Sequence, residues 1–179
     1  MPTSVDLKYI NSAEYRNRFN GITGDEELDE LLHKKAVDML KHRNNTNYED
    51  MYWVSVRGKE VKFSQTHSKK TYEVTYSART ADYMKKNGTN YITIHNHPNG
   101  TLPSGSDFYS NQQYGYQLGV IVGHNGTIYS YSVGKREISG LLIDSVIAKY
   151  IRKGYNESKQ YELALEQLSK DYGIKWRRF

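Results

Sequence analysis

Apolar and polar positions change period several times along the chain, and each change marks an element. Leu28, Leu31, Leu32, Ala36, Met39 and Leu40 recur at three and four residues, and Asp25 stands ahead of them as an N-cap. That spacing lays one apolar stripe along a helix and predicts one over 26–42. The polar run Arg43-Asn44-Asn45-Thr46-Asn47 ends it. The pattern then shortens to alternation, which predicts strands at 51–57, 60–66 and 71–76, joined at Gly58 and at Ser68-Lys69-Lys70. A short helix over 78–86 closes at Asn87-Gly88. Tyr91 to Ile94 then reads as a buried strand, 104–116 as a helix and 118–122 as a second buried strand. His124-Asn125-Gly126-Thr127 turns the chain into a strand at 127–132, because Asn-Gly supplies the turn that matches strand twist; His124 is read as a turn residue. Residues 1–24 are polar, end in Gly21-Ile22-Thr23-Gly24, and are expected to form an arm or loop. Residues 137–171 read as two helices broken near Gly154, the first carrying Ile138, Leu141, Leu142 and Ser145 on its stripe.

Strands alternating with helices over 51–132 make an α/β pattern with a mixed central sheet. The 179 residues suffice for one domain with a sizeable core. A hydrophobic fraction of 37% is low, but seventeen tyrosines supply much of it, and tyrosine buries its ring while keeping its hydroxyl wet. The net charge of +5 is modest and scattered except at Lys175-Trp176-Arg177-Arg178, which is read as a solvated terminal cluster. No cysteine is present, which excludes disulfides and thiolate ligands and leaves histidine and carboxylate for any zinc. No apolar run approaches the length of a membrane span, and Met1-Pro2-Thr3-Ser4-Val5-Asp6 lacks the regions of a signal peptide. A soluble cytoplasmic protein is expected.

Candidate chemistry gathers in His95-Asn96-His97-Pro98 and Ser104-Gly105-Ser106-Asp107. On a strand, residues two apart share a side, so His95 and His97 face together. Pro98 stops the strand just past them. Asn99-Gly100 and Pro103 mark a tight loop, and Ser104 stands as an N-cap with Asp107 in the first turn. Two imidazoles, one carboxylate and an open fourth position compose a catalytic zinc site.

H-x-H-P, a short loop and S-x-x-D resemble the JAMM (MPN-plus) zinc metallopeptidases, and His95-Asn96-His97-Pro98-Asn99-Gly100 is similar to the RadC-like version. The resemblance covers roughly residues 48–133. It implies a single JAMM-like, cytidine-deaminase-like domain with a mixed sheet flanked by helices, preceded by an N-terminal arm and helix over 1–47 and followed by a helical extension over 134–179. It also implies Zn2+ on His95, His97 and Asp107, with a water in the fourth position and Ser104 stabilising the tetrahedral intermediate. The family usually has seven residues between the second histidine and the serine, whereas residues 98–103 make six, so the loop is shorter here. The family's water-activating glutamate precedes its first core strand. Glu49, leading into Met51-Tyr52-Trp53-Val54, fits that place, with Glu60, Glu73 and Asp50 as alternatives.

The implied function is hydrolysis of a peptide or isopeptide bond in a protein or peptide substrate by a metal-activated water. A second, shorter resemblance lies outside that region. Ile10-Asn11-Ser12-Ala13-Glu14-Tyr15-Arg16 with Phe19, and Leu40-Lys41-His42-Arg43 before Tyr48-Glu49-Asp50, resemble segments of phage minor head proteins. It implies an alternative: a non-catalytic, metal-binding assembly domain, associated with a virion and with phage structural proteins as partners. The RadC-like flavour and the basic balance give a third expectation, contact with nucleic acid, in which tyrosines stack on bases.

Overall fold

The computed structural model describes residues 3–134, 136–153 and 157–179. Among them, helices α1 (Leu7–Ile10), α2 (Ala13–Asn17) and α3 (Glu26–Arg43) precede strands β1 (Met51–Ser55) and β2 (Glu60–Gln65). Helix α4 (Ala78–Asn87), strand β3 (Tyr91–His97), helix α5 (Gly105–Tyr114) and strands β4 (Leu118–Gly123) and β5 (Ile128–Ser132) follow. Helices α6 (Gly140–Ile151) and α7 (Glu157–Tyr172) and strand β6 (Lys175–Arg178) complete the chain. The expected break near Gly154 lies outside the described residues.

The strands form one open mixed sheet in the order β2-β1-β3-β4-β5-β6. Only β3 and β4 run parallel, with α5 as their crossover; the other neighbours are antiparallel. All seven residues of β3 are buried, as a central strand covered on both faces requires. Period-two alternation divides the core across the sheet. Ile92, Ile94, Val120 and Val122 meet α3 and the N-terminal segment on one face. Ile121, Tyr129 and Tyr131 meet Phe108 of α5 and the last two helices on the other. Thr93, His95 and His97 therefore face α5, and Asn96 faces the opposite side.

Three expectations are corrected. Residues 3–24 are not an arm or loop: α1 and α2, capped by Asp6 and Ser12, carry Ile10 and Tyr15 into the core, with Val5, Phe19 and Ile22 beside them. Edge contacts at 5.4 Å from Tyr9 to Tyr15 and from Tyr15 to Phe19 hold these short helices together, a tertiary arrangement with no single period to read. Residues 71–76 form no strand and make one isolated bridge, Thr71 to Tyr48. Tyr72 is exposed and Val74 and Tyr76 are half-buried, Tyr76 against rings, 5.0 Å from Trp53 and 5.1 Å from Tyr114. The extension expected to be helical over 134–179 ends in a strand, and the terminal basic cluster on it is solvated as expected. Its backbone pairs with β5, whose ladder groups need partners, while Lys175, Arg177 and Arg178 keep their side chains exposed.

Candidate metal centre

Strand β3 presents His95 and His97 to α5, and the capping box at the start of α5 presents Asp107. Ser104 Oγ accepts from the Asp107 backbone N–H at 3.2 Å, and the Ser104 backbone N–H donates to Asp107 Oδ2 at 2.6 Å. The Ser104 hydroxyl donates to the same oxygen at 2.7 Å. With Oδ2 held by Ser104, Oδ1 is left toward His95.

The facing atoms converge. His95 Nε2 lies 3.0 Å from His97 Nε2 and 3.1 Å from Asp107 Oδ1, and His97 Nε2 lies 3.4 Å from Asp107 Oδ2. Tetrahedral zinc with bonds of about 2.0–2.2 Å would place its ligand atoms about 3.3–3.6 Å apart; the two separations from His95 Nε2 fall a few tenths of an ångström short of that, and each histidine faces a different oxygen of Asp107. The donor chemistry agrees. His97 Nδ1 lies 3.0 Å from the Thr101 carbonyl, which can only accept, and 3.0 Å from the Thr101 hydroxyl, so Nδ1 donates there and Nε2, once it has lost its proton, is the nitrogen free to hold a metal. His95 Nδ1 is buried without a partner. His95, His97 and Asp107 are the one set of metal-ligating side chains among the described residues whose atoms gather this closely, and the set could hold a metal ion.

Electrostatics tie the three groups together. Burial opposes charge on His97, but its hydrogen bond to Asp107 and the charges of Asp107 and Glu49 raise its pKa to about 9. Burial pushes the Asp107 carboxyl up; His95 and His97 outweigh that and hold it well below the usual carboxylate range.

Glu49 is 6% exposed and lines the same cavity of about 340 Å³ as the three ligating residues and Ser104. The sheet register accounts for its position. Met51 pairs with His95 in antiparallel strands, and extending that ladder by two residues sets position 49 opposite His97. Burial raises the Glu49 pKa, and the neighbouring His95 and His97 pull against the rise. The alternatives are placed differently. Asp50 turns away and pairs with Arg43 at 2.5 Å and His42 at 2.7 Å. Glu60 is exposed on edge strand β2, and Glu73 lines the cavity but is exposed and lies 3.4 Å from Lys70.

Two residues outside the expected set hold Glu49 in place. Asn96 Oδ1 accepts the Asp50 backbone N–H at 2.7 Å, and Asn96 Nδ2 donates to the Tyr48 carbonyl at 3.1 Å. Both peptide groups next to Glu49 are thus tied to the residue between the two histidines. His124 backs the clamp: its Nε2 accepts from Asn96 Nδ2 at 3.1 Å while its Nδ1 donates to the Thr3 carbonyl at 3.0 Å. His124 occupies the turn after β4 as expected, yet it is 1% exposed. A polar residue between two same-face histidines, on a strand with both faces covered, was the available signal for Asn96.

Comparison with known proteins found no matching family model and no match among curated proteins or solved structures. Among the described residues, no helix is long and apolar enough to cross a membrane.

Proposed function

We propose that the chain is a zinc-dependent peptidase or isopeptidase with a JAMM-like domain. The observation that carries this reading is the convergence of two imidazole nitrogens and a carboxylate beside a separate, buried and unpaired glutamate. His95 Nε2, His97 Nε2 and Asp107 Oδ1 would hold the ion. When bound, zinc supplies Lewis acidity and brings the ionisation of a water toward neutral pH. Glu49, raised by burial, takes a proton from the attacking water and returns it to the leaving amine. Thr101 fixes the tautomer of His97, and Ser104 fixes the rotation of the Asp107 carboxylate. Asn96 keeps the backbone around Glu49 from shifting when its charge changes.

One observation favours a second reading, a metal-binding domain that assembles with partners and does not hydrolyse. The Ser104 hydroxyl proton is directed at Asp107 and not into the open cavity. A panel of fluorescence-quenched peptides, incubated with wild type and Glu49→Gln, separates the two. Hydrolysis that falls by about 10²–10⁴ in Glu49→Gln with zinc content retained supports the peptidase. Bound zinc without hydrolysis by either protein supports the second reading, and hydrolysis equal in both removes Glu49 from the reaction.

A further inference from the structure

Among the described residues, five buried side-chain atoms have no hydrogen-bond partner, and two of them belong to residues lining the cavity: His95 Nδ1 and Asn111 Nδ2. Asn111 is 2% exposed, so its amide is no surface group. Its orientation is fixed, because Oδ1 accepts the Val133 backbone N–H at 3.2 Å and Nδ2 must then point away from that strand end. An unmatched buried donor is destabilising, and one that lines a cavity calls for a partner there.

We propose that Asn111 Nδ2 is a substrate-positioning donor for a main-chain carbonyl of an extended polypeptide in the cavity. The proposal rests on the peptidase reading of the neighbouring site. Asn111 follows Asp107 by four residues on α5, so the two side chains share a helix face and are offset by about 6 Å along its axis. In an extended peptide the carbonyls that point the same way are two residues apart, about 6.6–6.8 Å. A chain presenting one carbonyl beside Asp107 therefore brings its next same-side carbonyl to Asn111. The charge of the cavity selects a neutral acceptor. Glu49, Glu73 and Asp107 line it and no lysine or arginine does; the His97 imidazolium is already paired with Asp107, so three carboxylates oppose a fourth at the Asn111 end.

The test is a titration of the metal-free and zinc-loaded full chain, labelled with 15N at asparagine, with N-acetylglycine N-methylamide. An NOE to the Val133 N–H identifies the Asn111 side-chain amide in the wild type. Asn111→Asp keeps the oxygen that accepts from Val133 and removes the donor. The expected result is a saturable downfield shift of the Asn111 amide and binding about tenfold weaker in Asn111→Asp. No saturable shift, or equal binding by Asn111→Asp, overturns the proposal. So does equal or tighter binding of acetamide, which would assign the donor to a carboxamide side chain. Zinc content measured on the same samples tests the metal reading separately, because the amide shift in the metal-free chain does not depend on it.

Discussion

Replacing Asn96 by alanine tests the clamp around Glu49 in a way that can be sized from its contacts. The side chain is fully buried and makes three hydrogen bonds: from the Asp50 N–H at 2.7 Å, to the Tyr48 carbonyl at 3.1 Å and to His124 Nε2 at 3.1 Å. Asn96→Ala leaves one donor and two acceptors without a partner in a covered part of the sheet. Each orphaned group costs about 1–3 kcal/mol, and a water entering the vacated space recovers part of the sum, so a loss of about 3 kcal/mol is expected. For a chain of this size that corresponds to roughly 6–12 °C in Tm. The assay is urea and thermal unfolding of the chelator-treated protein, so that metal binding does not mask the loss. A double-mutant cycle with His124→Ala should return a coupling of about 0.5–3 kcal/mol, because the two residues share one hydrogen bond. A loss below about 1 kcal/mol, or strict additivity with His124→Ala, would refute the clamp.

Other consequences follow from the same geometry. Arg43→Met leaves the fully buried Asp50 carboxylate without its closest partner and should cost about 3–5 kcal/mol in urea unfolding, whereas a change near zero would show the pair to be unimportant. The His97 proton must leave when zinc binds. Because His97 titrates at about 9 in the metal-free protein, above the ordinary 6.5, its imidazolium stabilises that form fully below 6.5 and the contribution is lost as pH rises through about 9. Zinc affinity measured by chelator competition should therefore rise with pH from 6.5 toward 9, by up to about tenfold per unit, and a flat profile would contradict the assignment. Gly119→Ala would set a Cβ 2.1 Å from Cζ of Tyr131, a cavity-lining ring; a cost of about 1–3 kcal/mol is expected, and an unchanged Tm would show that the ring yields freely.

The parts of the fold legible in the sequence are those whose signal is local. Helix α3 declared itself through an unbroken stripe and the Asp25 cap, and β3 through a run of apolar residues ended by Pro98. His95, His97 and Asp107 were readable together because a strand period of two and one capping box fix their directions. What escaped depends on distant partners. Alternation at 71–76 looked like a strand, but the segment makes a single bridge, leaves Tyr72 exposed and packs Tyr76 against Trp53 and Tyr114. Lys175–Arg178 carries little strand pattern, and the open edge of β5 makes it one. Asn96, His124 and Asn111 are ordinary residues in sequence. Their roles come from groups that lie 46 positions away for Asp50, 121 for Thr3 and 22 for Val133.

The central claim is that His95, His97 and Asp107 hold one metal ion. Elemental analysis of wild type purified without chelator, beside His97→Ala and Asp107→Ala with folding checked by circular dichroism, tests it most directly. The account predicts about one zinc per folded wild-type chain and its loss from both variants. A wild type free of metal that takes up none on addition of zinc, or folded variants that keep the full amount, would contradict it.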